Sequence, residues 1–274
     1  MRILIILSIL IASLAAPLFA AEVDPSKLEL SLTPGKTSET IITVTNWMDY
    51  SVKVNIKTDA YRYIFTENTI PPKEGTGELP PCQSWLKFQP NQFELSPKAS
   101  MRIKCVINVP QGAKEEHVAS ILFDEEGLVT TYDKYPDKPG NITLKVIPRF
   151  TIPLYISIEG NKVIDADISD MKVVEGPSLG TSIKTEITLH NKGTVHLRPS
   201  GTLLFMDSKE NIIKTMKIGE CLPLFPDYKE KIPVYCPVML EPGSYSAVCT
   251  IDIGGGKLLQ KKTDFTITKS YDMK

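Results

Sequence analysis

The sequence predicts an all-β protein: two immunoglobulin-like seven-stranded β-sandwich domains in tandem after a signal peptide. Three observations carry this prediction. Apolar residues recur at every second position, the pattern stops and restarts near mid-chain, and 21 of the 274 residues are proline. Period-two alternation puts successive side chains on opposite faces of a half-buried strand. Proline lacks a backbone N–H and breaks helices, so its abundance favours turns and edge strands. A chain of 274 residues has room for two domains of roughly 100–150 residues each.

The first twenty residues read as a secretory signal. Met1-Arg2 supplies a positive charge, Ile3 to Ala16 is almost wholly apolar, and Pro17-Leu18-Phe19-Ala20-Ala21 ends in small residues. These are the three parts of an export signal, with cleavage expected after Ala20 or one residue later. The apolar run falls short of the ~20 residues of a spanning helix, so no membrane segment is expected after cleavage. The expected location is the periplasm, the cell surface or the medium.

A first domain is expected over residues 21–160. Leu28, Leu30 and Leu32 alternate with Lys27, Glu29 and Ser31, and Pro34-Gly35 makes a turn. Ile42 and Val44 lead to Asn46, and Val52, Val54 and Ile56 follow. Met101 to Val109 alternates, as do Ala119, Ile121 and Phe123. The last segment runs from Ile142 through Leu144 and Val146 and, after Pro148, from Phe150 to Ile158. Gly160-Asn161 is the expected junction.

The second domain, over residues 161–274, repeats the layout. Ile164, Ala166 and Ile168 open it, and Ile183, Ile187 and Leu189 end at His190-Asn191-Lys192-Gly193. Leu203 to Phe205, Ile212 to Ile218, Ile232 with Val234, Tyr245 to Ile253, and Phe265 with Ile267 complete it. Each half has a strand ending in Asn before a turn, at Asn46 and Asn191. Tyr245, after Pro242-Gly243, suits a tyrosine corner. Gly254-Gly255-Gly256 reads as a hairpin loop whose glycines supply positive φ.

The chemistry-bearing residues point away from catalysis. With 31 basic and 32 acidic residues, no large basic field exists to hold nucleic acid or an anionic membrane. No nucleophile elbow, zinc motif or phosphate loop occurs, so no enzyme activity, cofactor or metal is expected. Cys82, Cys105, Cys221, Cys236 and Cys249 are odd in number, and their pairing stays open. Cys105 and Cys249 share the core parity of their strands and are expected to be buried, unreactive thiols. His190 and His196 flank a turn without a third ligand and read as surface polar residues. Asp124-Glu125-Glu126-Gly127 reads as a solvated turn. Three features stand out: Trp85 to Pro97, a loop from Asp124 to Gly140 that is long for a hairpin, and the alternating segment from Ile142 to Ile158.

Trp85 to Pro110 contains a Pro-x-x-Phe-x-Leu core at Pro90 to Leu95 and then an alternating strand bearing Arg102. It resembles the first domain of the PapD-type pilus-assembly chaperones. Ala119 to Phe123 sits where those chaperones have their sixth strand, and Arg149 to Tyr155 resembles the end of their seventh; the likeness covers about residues 25–160. The resemblance implies two sandwiches set at an angle. It also implies that exposed apolar residues of the seventh strand complete an unfinished subunit by strand addition, and that a basic pair anchors the subunit's terminal carboxylate. On this chain the donor residues would be Ile142, Leu144 and Val146, and the basic pair Lys27 and Arg149. The family's Arg on the first strand is here Lys27, its Lys beyond Arg149 is here Thr151, and Pro148 interrupts the donor segment. Asn191 to Gly201 with Pro242 to Tyr245 resembles sandwich domains of bacterial surface proteins, among them cell-wall-associated ones with a peptidoglycan-binding domain. The function these resemblances imply is a periplasmic chaperone-like protein that assembles secreted surface or pilus subunits, its partner a secreted or fibre subunit or a cell-envelope component. The alternative is a surface-associated binding or structural protein whose Ile142, Leu144 and Val146 face its own core.

Overall fold

The computed structural model describes residues 21–63, 67–71, 79–126, 128–132, 142–178, 181–237 and 240–268, with 128–132, 142–146 and the residues around 175–182 described by backbone path and pairing. The expected signal, residues 1–20, lies outside them. The strands of the first half are β1 (Ala21–Asp24), β2 (Leu28–Leu32), β3 (Thr37–Asn46), β4 (Val52–Asp59), β5 (Thr69–Ile70), β6 (Leu86–Gln89), β7 (Gln92–Leu95), β8 (Ser100–Asn108), β9 (His117–Glu125), β10 (Leu128–Tyr132), β11 (Ile142–Val146) and β12 (Arg149–Ile158). Those of the second half are β13 (Ala166–Ser178), β14 (Thr181–Asn191), β15 (Ser200–Asp207), β16 (Ile212–Ile218), β17 (Lys229–Cys236), β18 (Gly243–Asp252) and β19 (Leu258–Ile267).

Each half is a sandwich of two sheets. In the first, β1-β3-β8-β6 faces β2-β12-β9-β4-β7. The alternating residues meet between them: Ile42, Val44, Ile103, Cys105 and Ile107 from one sheet, and Val54, Ile121, Phe123, Leu154 and Ile156 from the other. In the second, β13-β14-β17-β5 faces β16-β15-β18-β19, and Ile183, Ile187 and Leu189 pack against Leu203, Phe205, Cys249 and Ile251. Burying each such side chain contributes about 1.5–3 kcal/mol, which makes the strand parity binding on the fold. Cys105 and Cys249 are fully buried free thiols, as their parity requires, and burial pushes both up to about 12.

The two strand-ending asparagines do equivalent work. Asn46 donates to the carbonyls of Tyr50, Leu95 and Ser96 and accepts the Met48 N–H at 2.9 Å. Asn191 donates to the carbonyls of Val195 and Leu224 and accepts the Gly193 N–H at 2.8 Å. Both are fully buried, and each pins the turn after its strand to a neighbouring loop. Tyr245 forms the tyrosine corner, its hydroxyl donating to the Glu241 carbonyl at 2.8 Å. Gly254, Gly255 and Gly256 turn the chain between β18 and β19 with φ of 86°, 62° and 73°.

Several expectations need correction. The segment expected to be one strand from Ile142 to Ile158 divides into β11 and β12, because Ile147 and Pro148 interrupt it. The long loop after Asp124 contains β10. Asp124 and Glu125 are not a solvated turn: they end β9 and are 7% and 4% exposed. His196 is not a surface residue, for its side chain is only 8% exposed between two carboxylates. The short strands β1, β6 and β7 were too brief to declare a period.

Candidate partner-binding edge and interdomain cleft

β9 and β12 form an antiparallel hairpin that β10 and β11 prolong. Asp124 lies opposite Arg149, and Leu128 opposite Val146. The register slips by one residue between these two pairs, an irregularity of the kind that bends a ladder. On its other side β12 is joined by β2, but only from Leu154 onward. Among the described residues, no strand pairs with β11 or with Arg149, Thr151 and Pro153 on the side away from β9 and β10. The Glu125 N–H bonds the Pro148 carbonyl at 3.0 Å. The alternation of an antiparallel ladder then turns the main-chain groups of Phe150 and Ile152 toward β9, and those of Arg149 and Thr151 toward the open edge.

The outer face beside this edge holds a groove of about 370 Å³ lined by Tyr61, Arg62, Leu122, Arg149, Thr151 and Pro153. Arg149 is not an unoccupied cation there. Its Nε and Nη2 donate to Asp124 at 2.5 and 2.9 Å, and Lys57 reaches the same carboxylate at 2.9 Å. The Arg149 hydrogen bonds, more than the opposing effect of burial, hold the Asp124 carboxyl down at about 2.

Lys27 lies elsewhere. It precedes β2, level with Pro153 in the parallel register, about 13 Å along the strand from Arg149 at ~3.3 Å per residue. It pairs with Glu29 at 3.2 Å and Glu220 at 3.3 Å. The structure therefore does not bring Lys27 and Arg149 together, and each already has carboxylate partners. The backbone of Ile142, Leu144 and Val146 is paired to β10; their side chains lie outside the described residues.

The sequence reading missed the cleft where the domains meet. Tyr155 occupies the outward parity of β12 but is only 1% exposed, because the second domain covers it. Its ring stacks on His196 at 4.1 Å, and its hydroxyl donates to that of Tyr61 at 2.9 Å. Burial and the Tyr61 contact push its phenol pKa up. Glu116, 3% exposed, accepts the His196 N–H at 2.7 Å and faces its Nδ1 at 2.9 Å. Glu29 takes Arg198 at 2.8 Å and lies 3.5 Å from His196 Nε2. Burial raises the Glu29 carboxyl, but hydrogen bonds from Arg198 and Lys27 outweigh it and leave the pKa lowered. The signal available was parity: an aromatic residue facing out between Pro153 and Ser157 needs a cover.

A strap from the first domain reinforces the junction. Tyr61, Tyr63 and Leu79 pack into the second core, with Tyr63 edge-on to Phe225 at 4.6 Å. β5 adds to the second domain's sheet, Thr69 opposite Glu230 and Ile70 opposite Lys229. Beside these contacts the cleft keeps about 360 Å³, lined by Glu29, Glu116, Tyr155, Lys162, His196 and Arg198 among others. Among the described residues no group of three His, Cys, Asp or Glu side chains is placed to hold a metal, and no helix is long and apolar enough to cross a membrane.

No protein-family model matches the sequence, and no sequence of a characterised protein matches it. Solved structures do resemble the chain. One is the class 5 fimbriae chaperone CfaA, at 14% identity and a TM-score of 0.41 over 91% of this chain and 99% of that one. Another is the YadV chaperone, at 12% identity and 0.45 over 90% and 100%. A third is the Salmonella enterica SafB chaperone in complex with the SafA pilin, at 12% identity and 0.42 over 90% and 98%.

Proposed function

We propose that this protein acts outside the cytoplasm as a chaperone-like assembly factor, binding an extended segment of a secreted surface or pilus subunit by strand addition at the β11–β12 edge. The open edge from Ile142 to Pro153 carries the reading. An unpaired edge is a ready template for another chain, and here it adjoins a groove. Two sandwiches fastened by Glu116, His196, Arg198 and the β5 strap hold that edge on a firm support.

The test takes any small secreted subunits found encoded near this protein's gene, each purified and titrated against the wild type, Thr151→Pro and Leu144→Glu. Because the Thr151 N–H points away from β9, proline there removes an outward donor without touching the β9 ladder. Capture weakened about tenfold or more, the worth of a hydrogen bond of about 1.5 kcal/mol, with unchanged thermal unfolding, supports the reading. Wild-type capture by both variants rejects it.

A further inference from the structure

The end of β9 holds a buried carboxylate that pairs with no cation among the described residues. Glu125 lies on the core-facing parity with Ala119, Ile121 and Phe123, and it is 4% exposed. Its carboxylate accepts the backbone N–H of Ala21, and burial raises its pKa. Among the described residues its Oε1 meets no hydrogen-bond partner. Val54 lies beside it on β4. From the facing sheet comes Ala21, whose strand partner Asn46 has its amide committed to the carbonyls of Tyr50, Leu95 and Ser96. The nearby bases belong to the outer face: Lys53 pairs with Glu126 at 3.6 Å, and Arg149 with Asp124. A carboxylate buried without a counter-charge is costly, and native chains rarely leave one so.

Ala21 is one of the two mature starts that the signal pattern allows, cleavage one residue later giving Glu22. It opens β1, pairs with Asn46 and is 3% exposed. We propose that signal cleavage between Ala20 and Ala21 supplies the missing cation, so that the new α-ammonium of Ala21 forms a buried ion pair with Glu125 and locks β1 into the first sandwich. The chemistry is hydrolysis by a signal peptidase. Water adds across the Ala20–Ala21 amide, the C–N bond breaks, and Ala20 leaves with the new carboxylate. The Ala21 nitrogen takes up protons and is an ammonium at neutral pH, since an α-amine titrates at about 8. It then has three N–H donors where the amide had one, enough for both Glu125 oxygens. Processing thus completes the first domain.

The experiment starts from protein exported with its own signal. Intact-mass measurement must place the mature start at Ala21; a start at Glu22 or elsewhere overturns the proposal. Unfolding in urea is then compared for the free and the N-acetylated mature chain, each with Glu125 and with Glu125→Gln. Breaking a buried pair is strongly destabilising, so acetylation should raise the unfolding constant at least about tenfold with Glu125 and change it little with Gln. An equal effect in both backgrounds overturns the proposal. Should Glu125→Gln fail to fold, the acylation rate of the Ala21 amine in the native wild type decides. Protection of about tenfold or more over the denatured chain is expected for a closed, buried site, and equal rates overturn it.

Discussion

Glu116→Ala removes one carboxylate that serves two donors on the other domain. In the native chain Glu116 accepts the His196 backbone N–H at 2.7 Å and meets His196 Nδ1 at 2.9 Å, with the carboxylate 3% and the imidazole 8% exposed. Truncation leaves a buried backbone N–H and a buried ring nitrogen without that acceptor. A buried group deprived of its partner costs about 1–3 kcal/mol, so two donors set the loss at roughly 3 kcal/mol once the cavity admits some water. The loss falls on the interface, since both donors lie across it. Two-domain unfolding is not strictly two-state, so calorimetry is the assay. The wild type should unfold in one coupled transition, and Glu116→Ala should separate it into two, the lower one shifted by several degrees. A single transition moved by less than the equivalent of 1 kcal/mol would refute the view that this carboxylate fastens the domains.

Three further outcomes are expected. The Asp124 carboxyl is held at about 2, first by the Arg149 hydrogen bonds. A depressed folded-state pKa contributes stability above the unfolded value of about 4, and that contribution disappears as pH falls from 4 toward 2. Arg149→Ala should therefore shrink the stability difference between pH 5 and pH 2 in urea titrations, leaving only the Lys57 share. Asn191→Ala deprives the buried carbonyls of Val195 and Leu224 and the Gly193 N–H of their partner; equilibrium unfolding should show a loss of about 3 kcal/mol. In Gly201→Ala the new Cβ would sit 2.1 Å from the Thr250 carbonyl oxygen, and since that neighbour is backbone in the paired strand β18, a loss of at least about 2 kcal/mol is expected from chemical denaturation.

What could be read from the sequence follows from which interactions are local. Ile42, Val44, Ile103 and Cys105 announce their face because parity is a property of one strand, and Asn46 with Asn191 announces a shared turn because the same side chain solves the same problem twice. Tyr245 was legible for that reason as well. The cleft was not. Glu29, Glu116, His196 and Arg198 meet only through the relation between two domains, and each alone resembles an ordinary polar surface residue. Strand β5 is two residues long and carries no period; its pairing with β17 is wholly non-local. Lys27 and Arg149 were joined by resemblance, and distance with competing carboxylates keeps them apart.

The open edge also limits how a partner could be held. Arg149 and Thr151 each offer one outward N–H and one outward C=O, while Pro153 offers no N–H and the register slip between Asp124/Arg149 and Leu128/Val146 interrupts the ladder beyond. These are the devices by which edges are guarded against indiscriminate pairing. Four main-chain bonds at about 1 kcal/mol each give roughly 4 kcal/mol, against the −8.2 kcal/mol of a micromolar complex. The balance of about 4 kcal/mol corresponds to some 160 Å² of apolar burial at ~25 cal/mol/Å², about the area of one large side chain. Discrimination would therefore rest on the side chain that the partner inserts beside the edge, and the ladder would set its register.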